Sequence, residues 1–297
     1  MRLFLPLAIL TALGMHAPGE EPHKLAYEKS DALWVANIDG TGAKKIADGQ
    51  SPDLSPDGTK LAFNTVQAIG KPADRKIAVA DLASGQITAF KDLPSNNCLE
   101  PVWSPDGKQL LFYYYVNNEM LIGTIAPDGT GFHPVFGKDA KPKSYWSAAW
   151  AKDGVSFFCQ DMEKLYRIGL DGTEQKSWAI EKIVPHGGMS GNVRLDVSAD
   201  GKTLLMDVEM DEKVARKGWD GPPPSIWTMD LETEKTTRLT PKGFFAWDSH
   251  WLGAEAIVCV SQAAGEKEPS LYRMSLKGNG KDKKLLVKNA MIPSVAP

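Results

Sequence analysis

Four sets of residues have types and spacings that invite a chemical reading. The first, His186-Gly-Gly-Met-Ser190-Gly191, places a hydroxyl beside a glycine-rich turn, as a serine hydrolase does with its nucleophile and oxyanion loop. A nucleophile elbow needs Gly-x-Ser-x-Gly at a strand-to-helix turn. Here Asn192 stands where the last glycine is needed, and the segment leads into a strand, so no catalytic residue is assigned. The second set is His186 and His250, which precede equivalent strands of neighbouring repeat units. Facing each other, they would give two imidazole ligands, with Asp248 or Gln262 as further donors. A metal site takes three or four ligands, so a lone His bonded to a neighbouring loop is the preferred reading, and neither metal nor cofactor is assigned. Third, Cys98, Cys159 and Cys259 are odd in number and lack metal-site spacing, and Cys159 and Cys259 sit in apolar runs, which suits small core residues. Fourth, Asp57, Asp106, Asp153 and Asp200 each precede a glycine. Such an Asp bonds its own turn backbone, and the four lie too far apart in sequence to share one calcium loop.

The elements that must position these residues are repeated. Ser51-Pro-Asp-Leu-Ser-Pro-Asp-Gly-Thr-Lys-Leu-Ala-Phe63 returns as Glu100-Pro-Val-Trp-Ser-Pro-Asp-Gly-Lys-Gln-Leu-Leu-Phe112, with further copies around Asp153-Gly154 and Asp200-Gly201. Gly58, Gly107, Gly154 and Gly201 are 49, 47 and 47 residues apart, a period that marks a structural unit. A fifth copy, Ser249-His-Trp-Leu-Gly253, has lost its Asp. The chain ends on Ile292-Pro-Ser-Val-Ala-Pro297, which matches Glu100-Pro-Val-Trp-Ser-Pro105, while Lys24-Leu-Ala-Tyr27 matches Lys60-Leu-Ala-Phe63. The C-terminus therefore supplies the first strand of a unit whose other strands are N-terminal. A second signature, an apolar strand and a Gly-containing turn, occurs six times, from Leu33-Trp-Val-Ala to Leu271-Tyr-Arg-Met. The expectation is an all-β, six-bladed β-propeller of four-stranded antiparallel blades, closed by pairing the C-terminal strand with N-terminal strands. It occupies residues 21–297 as a single domain.

The Ser-Pro-Asp-Gly turn before an apolar strand resembles the WD40-like (PD40) propeller repeat of the TolB-like family, over roughly residues 21 to 297. The resemblance implies a periplasmic or extracytoplasmic propeller. TolB itself has a separate N-terminal α/β domain, for which the residues ahead of the first blade leave no room, so roles tied to that domain are not carried over. Oligogalacturonate lyases are propellers that hold a divalent metal with histidines, and Ser249-His250-Trp251 is faintly similar to one of their motifs.

The N-terminus has its own character. Met1 and Arg2, then an apolar run from Leu3 to Leu13 and small residues at Ala12, Gly14 and Ala17, read as a signal peptide over residues 1–17. The run is too short to span a bilayer as a helix. Its removal takes away Arg2 and no acid, moving the net charge from -3 to -4. A mildly acidic chain without a basic block excludes nucleic acid as the expected partner.

What remains is a recognition surface. The segments leading into the innermost strands carry Asn97, Glu100, Tyr145, Trp146, His186, Asn192, Trp247, Asp248 and His250, and aromatics with a few polar groups around a concave mouth suit a peptide or glycan. Glu209 to Pro224 is longer than a hairpin needs, first charged and then Pro-rich, and its Trp219 marks either a solvated loop or a partner-docking arm. The function expected is an exported, non-catalytic binding or scaffold module, a monomer without a transmembrane segment once the signal is removed. It would be periplasmic or secreted and would bind an envelope or secreted protein, a peptide or a glycan. The alternative is a metal-dependent polysaccharide lyase with a His site in its channel.

Overall fold

The computed structural model describes residues 23–66, 74–137, 144–191, 193–214, 219 and 221–296. The expected signal peptide and Asn192 lie outside them. Among the described residues twenty-five strands form six antiparallel sheets. Blade six opens the chain with β1 (Lys24–Lys29), β2 (Ala32–Asn37) and β3 (Lys44–Asp48). Blade one has β4 (Gln50–Leu54), β5 (Lys60–Asn64), β6 (Ile77–Asp81) and β7 (Ile87–Ala89). Blade two has β8 (Cys98–Trp103), β9 (Leu110–Val116), β10 (Glu119–Ile125) and β11 (His133–Pro134). In blade three follow β12 (Trp146–Trp150), β13 (Ser156–Gln160), β14 (Lys164–Gly169) and β15 (Glu174–Ala179).

Blade four begins after a single helical turn, α1 (Ile180–Ile183). Its inner edge is split into β16 (Gly187–Gly188) and β17 (Leu195–Val197), both paired with β18 (Thr203–Met210), followed by β19 (Pro224–Asp230) and β20 (Thr236–Arg238). Blade five has β21 (Ala246–Leu252), β22 (Ala256–Ser261), β23 (Ser270–Ser275) and β24 (Lys284–Val287). The last strand, β25 (Met291–Ala296), pairs antiparallel with β1, so the two ends of the chain share blade six. This is the expected six-bladed propeller and the expected closure.

The core is a ring of inter-blade clusters rather than one centre. Ala26, Leu33 and Ala296 of blade six meet Leu54, Leu61 and Phe63 of blade one. Blades four and five meet through Leu205, Ile226, Ala246, Ile257 and Cys259. Because each sheet is covered on both faces, its middle strands are buried throughout, as in Ala256–Ser261, instead of alternating. Cys98, Cys159 and Cys259 are buried in these layers and form no disulfide among the described residues.

The repeat signature does two structural jobs. In the Asp-Gly turns, Asp57 accepts from the Ser55 hydroxyl at 2.6 Å and from Thr59 N–H at 3.0 Å, and Asp200 accepts from the Ser198 hydroxyl at 2.6 Å and Lys202 N–H at 3.0 Å. These bonds favour the charged form and hold both carboxyls below their usual range. Gly58 and Gly201 follow at φ 63° and 72°, left-handed positions that glycine fills without strain. The tryptophans of the repeat pin neighbouring blades. The indole N–H of Trp103 donates to Asp53 O at 3.0 Å, that of Trp150 to Val102 O at 2.9 Å, and that of Trp251 to Asp196 O at 3.4 Å.

Candidate functional site: the channel

The six inner strands enclose a cavity of about 1000 Å³. Five of them carry a bulge at one equivalent place, where two residues oppose one on the next strand: Ser51-Pro52, Glu100-Pro101, Ser147-Ala148, Asp248-Ser249 and Ile292-Pro293. The first residue of each pair is left-handed, with φ of 52°, 51°, 62°, 46° and 49°. A non-glycine residue held there costs about 1 to 3 kcal/mol. Repetition around the ring identifies it as a built feature that re-aims each side chain. Blade four has Arg194 at the matching place, three residues before Val197 as Glu100 is three before Trp103. The bulge ring thus reads Ser51, Glu100, Ser147, Arg194, Asp248, Ile292, and all six line the channel.

Each charged member is braced from behind. Asn64, buried in blade one, donates to Cys98 O at 2.7 Å and accepts from the Glu100 backbone N–H at 2.7 Å, which fixes the turn presenting Glu100. Asp248 accepts from the Ile292 backbone N–H. Its neighbour Ser249 donates its hydroxyl at 2.5 Å to Asp207, which is buried behind the ring. Arg194 donates from Nη1 to Pro293 O at 2.8 Å, tying blade four to blade six.

Two positions further along the strands, Asp53 accepts from Trp103 N–H at 2.8 Å and from the Ser294 hydroxyl at 2.9 Å. Asp196 accepts from Trp251 N–H at 2.9 Å and lies 3.2 Å from Nδ1 of His250.

The electrostatics are those of one guanidinium facing several carboxyls. Burial pushes up the pKa of Asp53, Glu100 and Asp248, and the Arg194 charge pulls each back. Glu28, which accepts from Ser51 N–H, and Asp207 are both lifted to about 7, chiefly by desolvation. Glu100 has exposed surface, and it is surface of the channel: it meets water there while protein surrounds it on the other sides.

Of the residues read from sequence, Glu100, Trp247, Asp248 and His250 line the channel. Asn97 instead accepts from Arg75 Nε at 2.9 Å, and Tyr145 stacks on Phe136 with ring centres 5.2 Å apart. The Trp146 indole packs against Gly191. His186 is exposed at the start of blade four and is not in the channel wall, so the facing pair of imidazoles considered from sequence is not formed. Among the described residues, no group of three His, Cys, Asp or Glu is placed to hold a metal. Trp219 packs edge-on against Phe245 at 5.2 Å and tilted against Trp247 at 5.6 Å, which joins the inserted arm to the channel mouth. Glu212, at the base of the arm, is paired with Arg238.

Comparison with known proteins follows the same lines. No protein-family model matches the chain. A TolB homolog of Chlorobium luteolum is 30% identical over 122 residues, 40% of this chain and 27% of that protein. The chain is a six-bladed propeller similar to that of TolB. Its fold matches TolB from Acinetobacter baumannii with a TM-score of 0.65 and 21% identity, over 92% of this chain and 66% of that one. The chain thus spans about a quarter of the curated relative and two thirds of the solved structure. A more distant likeness, TM-score 0.51 and 14% identity, is to an oligogalacturonate lyase in complex with manganese, over 85% of this chain and 73% of that one. Among the described residues no helix is long and apolar enough to cross a membrane.

Proposed function

We propose that this TolB-like propeller is an exported, non-catalytic interaction module that takes part of a polypeptide or glycan at the mouth of its channel. The observation that carries the reading is the ring of side chains at one strand position, Glu100 and Asp248 on strained backbone with Arg194 at the matching place of blade four, around a cavity of about 1000 Å³. That volume lies at the upper end of the ~300–1,000 Å³ usual for ligand pockets. Glu100 and Asp248 stand on strands and Arg194 directly precedes one, so their positions are fixed before a partner arrives. Trp219 and Trp247 extend the same surface outward. Export rests on the signal-like residues 1–17, and the mature chain should be found in the periplasm or medium.

The test is crosslinking capture of binding partners from an envelope fraction, comparing the wild-type protein with Glu100→Gln/Asp248→Asn and with Trp219→Ala. Capture that falls at least about tenfold in both variants, as loss of one or two central contacts predicts, is the expected result. Equal capture by all three proteins would remove the channel mouth as the binding surface. The likeness to a manganese-bound lyase keeps one other reading in play, metal-dependent cleavage of acidic oligosaccharides. Stoichiometric manganese in the purified protein, lost in His250→Ala together with such cleavage, would replace the scaffold reading.

A further inference from the structure

Beside the channel, between blades four and five, lies a second and smaller cavity of about 160 Å³. Val214 from the inserted arm, Phe244, Phe245, Ala263 and Ala264 give it apolar walls, and Ser261 and Lys283 bring polar groups into it. Far larger than the ~15 Å³ one water needs, it is below the ~300 Å³ of a typical ligand pocket. It can hold an end group rather than a whole ligand.

Its two polar groups are set as donors. The Lys283 ammonium sits 5.0 Å from the centre of the Phe244 ring and 4.4 Å from that of Tyr272, so two aromatic faces hold the cation without using its N–H groups as salt-bridge donors. Among the described residues it forms no ion pair within 4 Å. The nearby Glu266 carboxylate is turned back onto Ala263 N–H at 2.7 Å. Ser261 is 2% exposed overall and lines the cavity wall. A serine hydroxyl in the cavity wall has an O–H to donate to a group that enters it. An acceptor that also carries a negative charge satisfies Ser261 and Lys283 together.

We infer that this cavity binds the C-terminal residue of a polypeptide, with its apolar side chain among Val214, Phe244 and Phe245 and its free carboxylate between Lys283 and Ser261. The choice of a polypeptide rests on the reading of the protein as an interaction module. The choice of a carboxylate rests on charge complementarity and donor geometry. The site is separate from the channel wall, so one protein could engage the end of a chain here while its body lies toward the Trp219–Trp247 surface.

The experiment is calorimetric titration of the whole protein with acetyl-Ala-Leu-Phe as the free acid and as the carboxamide. The free acid should bind and the amide should bind at least about tenfold more weakly, the difference expected of a charge-assisted contact. In Lys283→Met the acid should fall to the level of the amide, and in Ser261→Ala it should weaken severalfold with the melting temperature preserved. Glu100→Gln/Asp248→Asn should bind the acid as the wild type does, so failure of the channel reading leaves this result intact. Equal binding of acid and amide, or binding of neither up to about 10 mM, would overturn the assignment. Hexanoate competing as well as the tripeptide would also overturn it, because the recognised group would then be a free amphiphilic carboxylate rather than a chain terminus.

Discussion

Removing Met291–Ala296 is expected to lower the melting temperature by more than about 10 °C, or to leave a chain that does not fold. The strand forms the inner edge of blade six through its pairing with β1. Its Ser294 hydroxyl, fully buried, donates to Asp53 at 2.9 Å and accepts from Leu54 N–H at 2.9 Å. Pro293 O takes the Arg194 guanidinium from blade four, and Ala296 lies in the cluster between blades six and one. Leaving the Leu54 N–H without its acceptor and taking from Asp53 one of its two donors costs about 1 to 3 kcal/mol each, and exposing the apolar faces of β1 and β4 adds to that. At roughly 2 to 4 °C per kcal/mol for a domain of this size, 4 kcal/mol already moves the transition by about 10 °C. Ser294→Ala isolates the hydroxyl and should lose a few degrees without opening the ring. Wild-type melting of the truncated protein by circular dichroism would contradict closure through this strand.

The ring itself was legible because turn chemistry repeats. Asp-Gly before an apolar strand recurs at a period set by four strands and their connections, and the match of Ile292-Pro293 to Glu100-Pro101 gave the closure. The channel chemistry was less legible, for a physical reason. Arg194 and Asp53 lie inside the quoted repeat copies, where they look like ordinary variation. Only the bulge, which puts residue 51, 100, 147, 248 or 292 into left-handed backbone, makes that column face the axis. Written as a column, Ser51, Glu100, Ser147, Arg194, Asp248 and Ile292 could have drawn notice as charged residues at one place of an otherwise apolar strand. Asp207 and Glu28 had no such signal, since they lie on the second strands and act through Ser249 and Ser51. Trp219 looked like part of a solvated loop because nothing in sequence tells that the arm folds back onto Phe245 and Trp247.

Arg194→Met should destabilise the protein strongly at pH 8 and only slightly at pH 5. Near pH 8 the variant would hold Asp53, Glu100 and Asp248 close together without the guanidinium that offsets their burial. Removing one partner from a buried charge group costs about 3 to 5 kcal/mol, and contact with channel water places this case near 3. Toward lower pH the carboxyls, already raised by burial, answer the loss by taking up protons, so the cost shrinks toward that of the bond to Pro293 O, about 1 kcal/mol.

The wild-type protein should show the underlying trend. Glu28 and Asp207, lifted to about 7 when folded, titrate near 4 when unfolded. Between those values the folded state holds more protons, so stability falls as pH rises from about 4 through 7. The turn aspartates work in the opposite sense. Asp57, Asp106 and Asp200 are depressed, and their contribution is lost as pH falls below about 4. A stability maximum near pH 4 follows, and Glu28→Gln, which keeps an acceptor for Ser51 N–H, should flatten the decline above it. Thermal melts of the three proteins from pH 4 to 8 decide the matter. A loss in Arg194→Met that is the same at pH 5 and pH 8 would mean that the arginine acts by packing and by its bond to blade six, with no electrostatic hold on the channel acids.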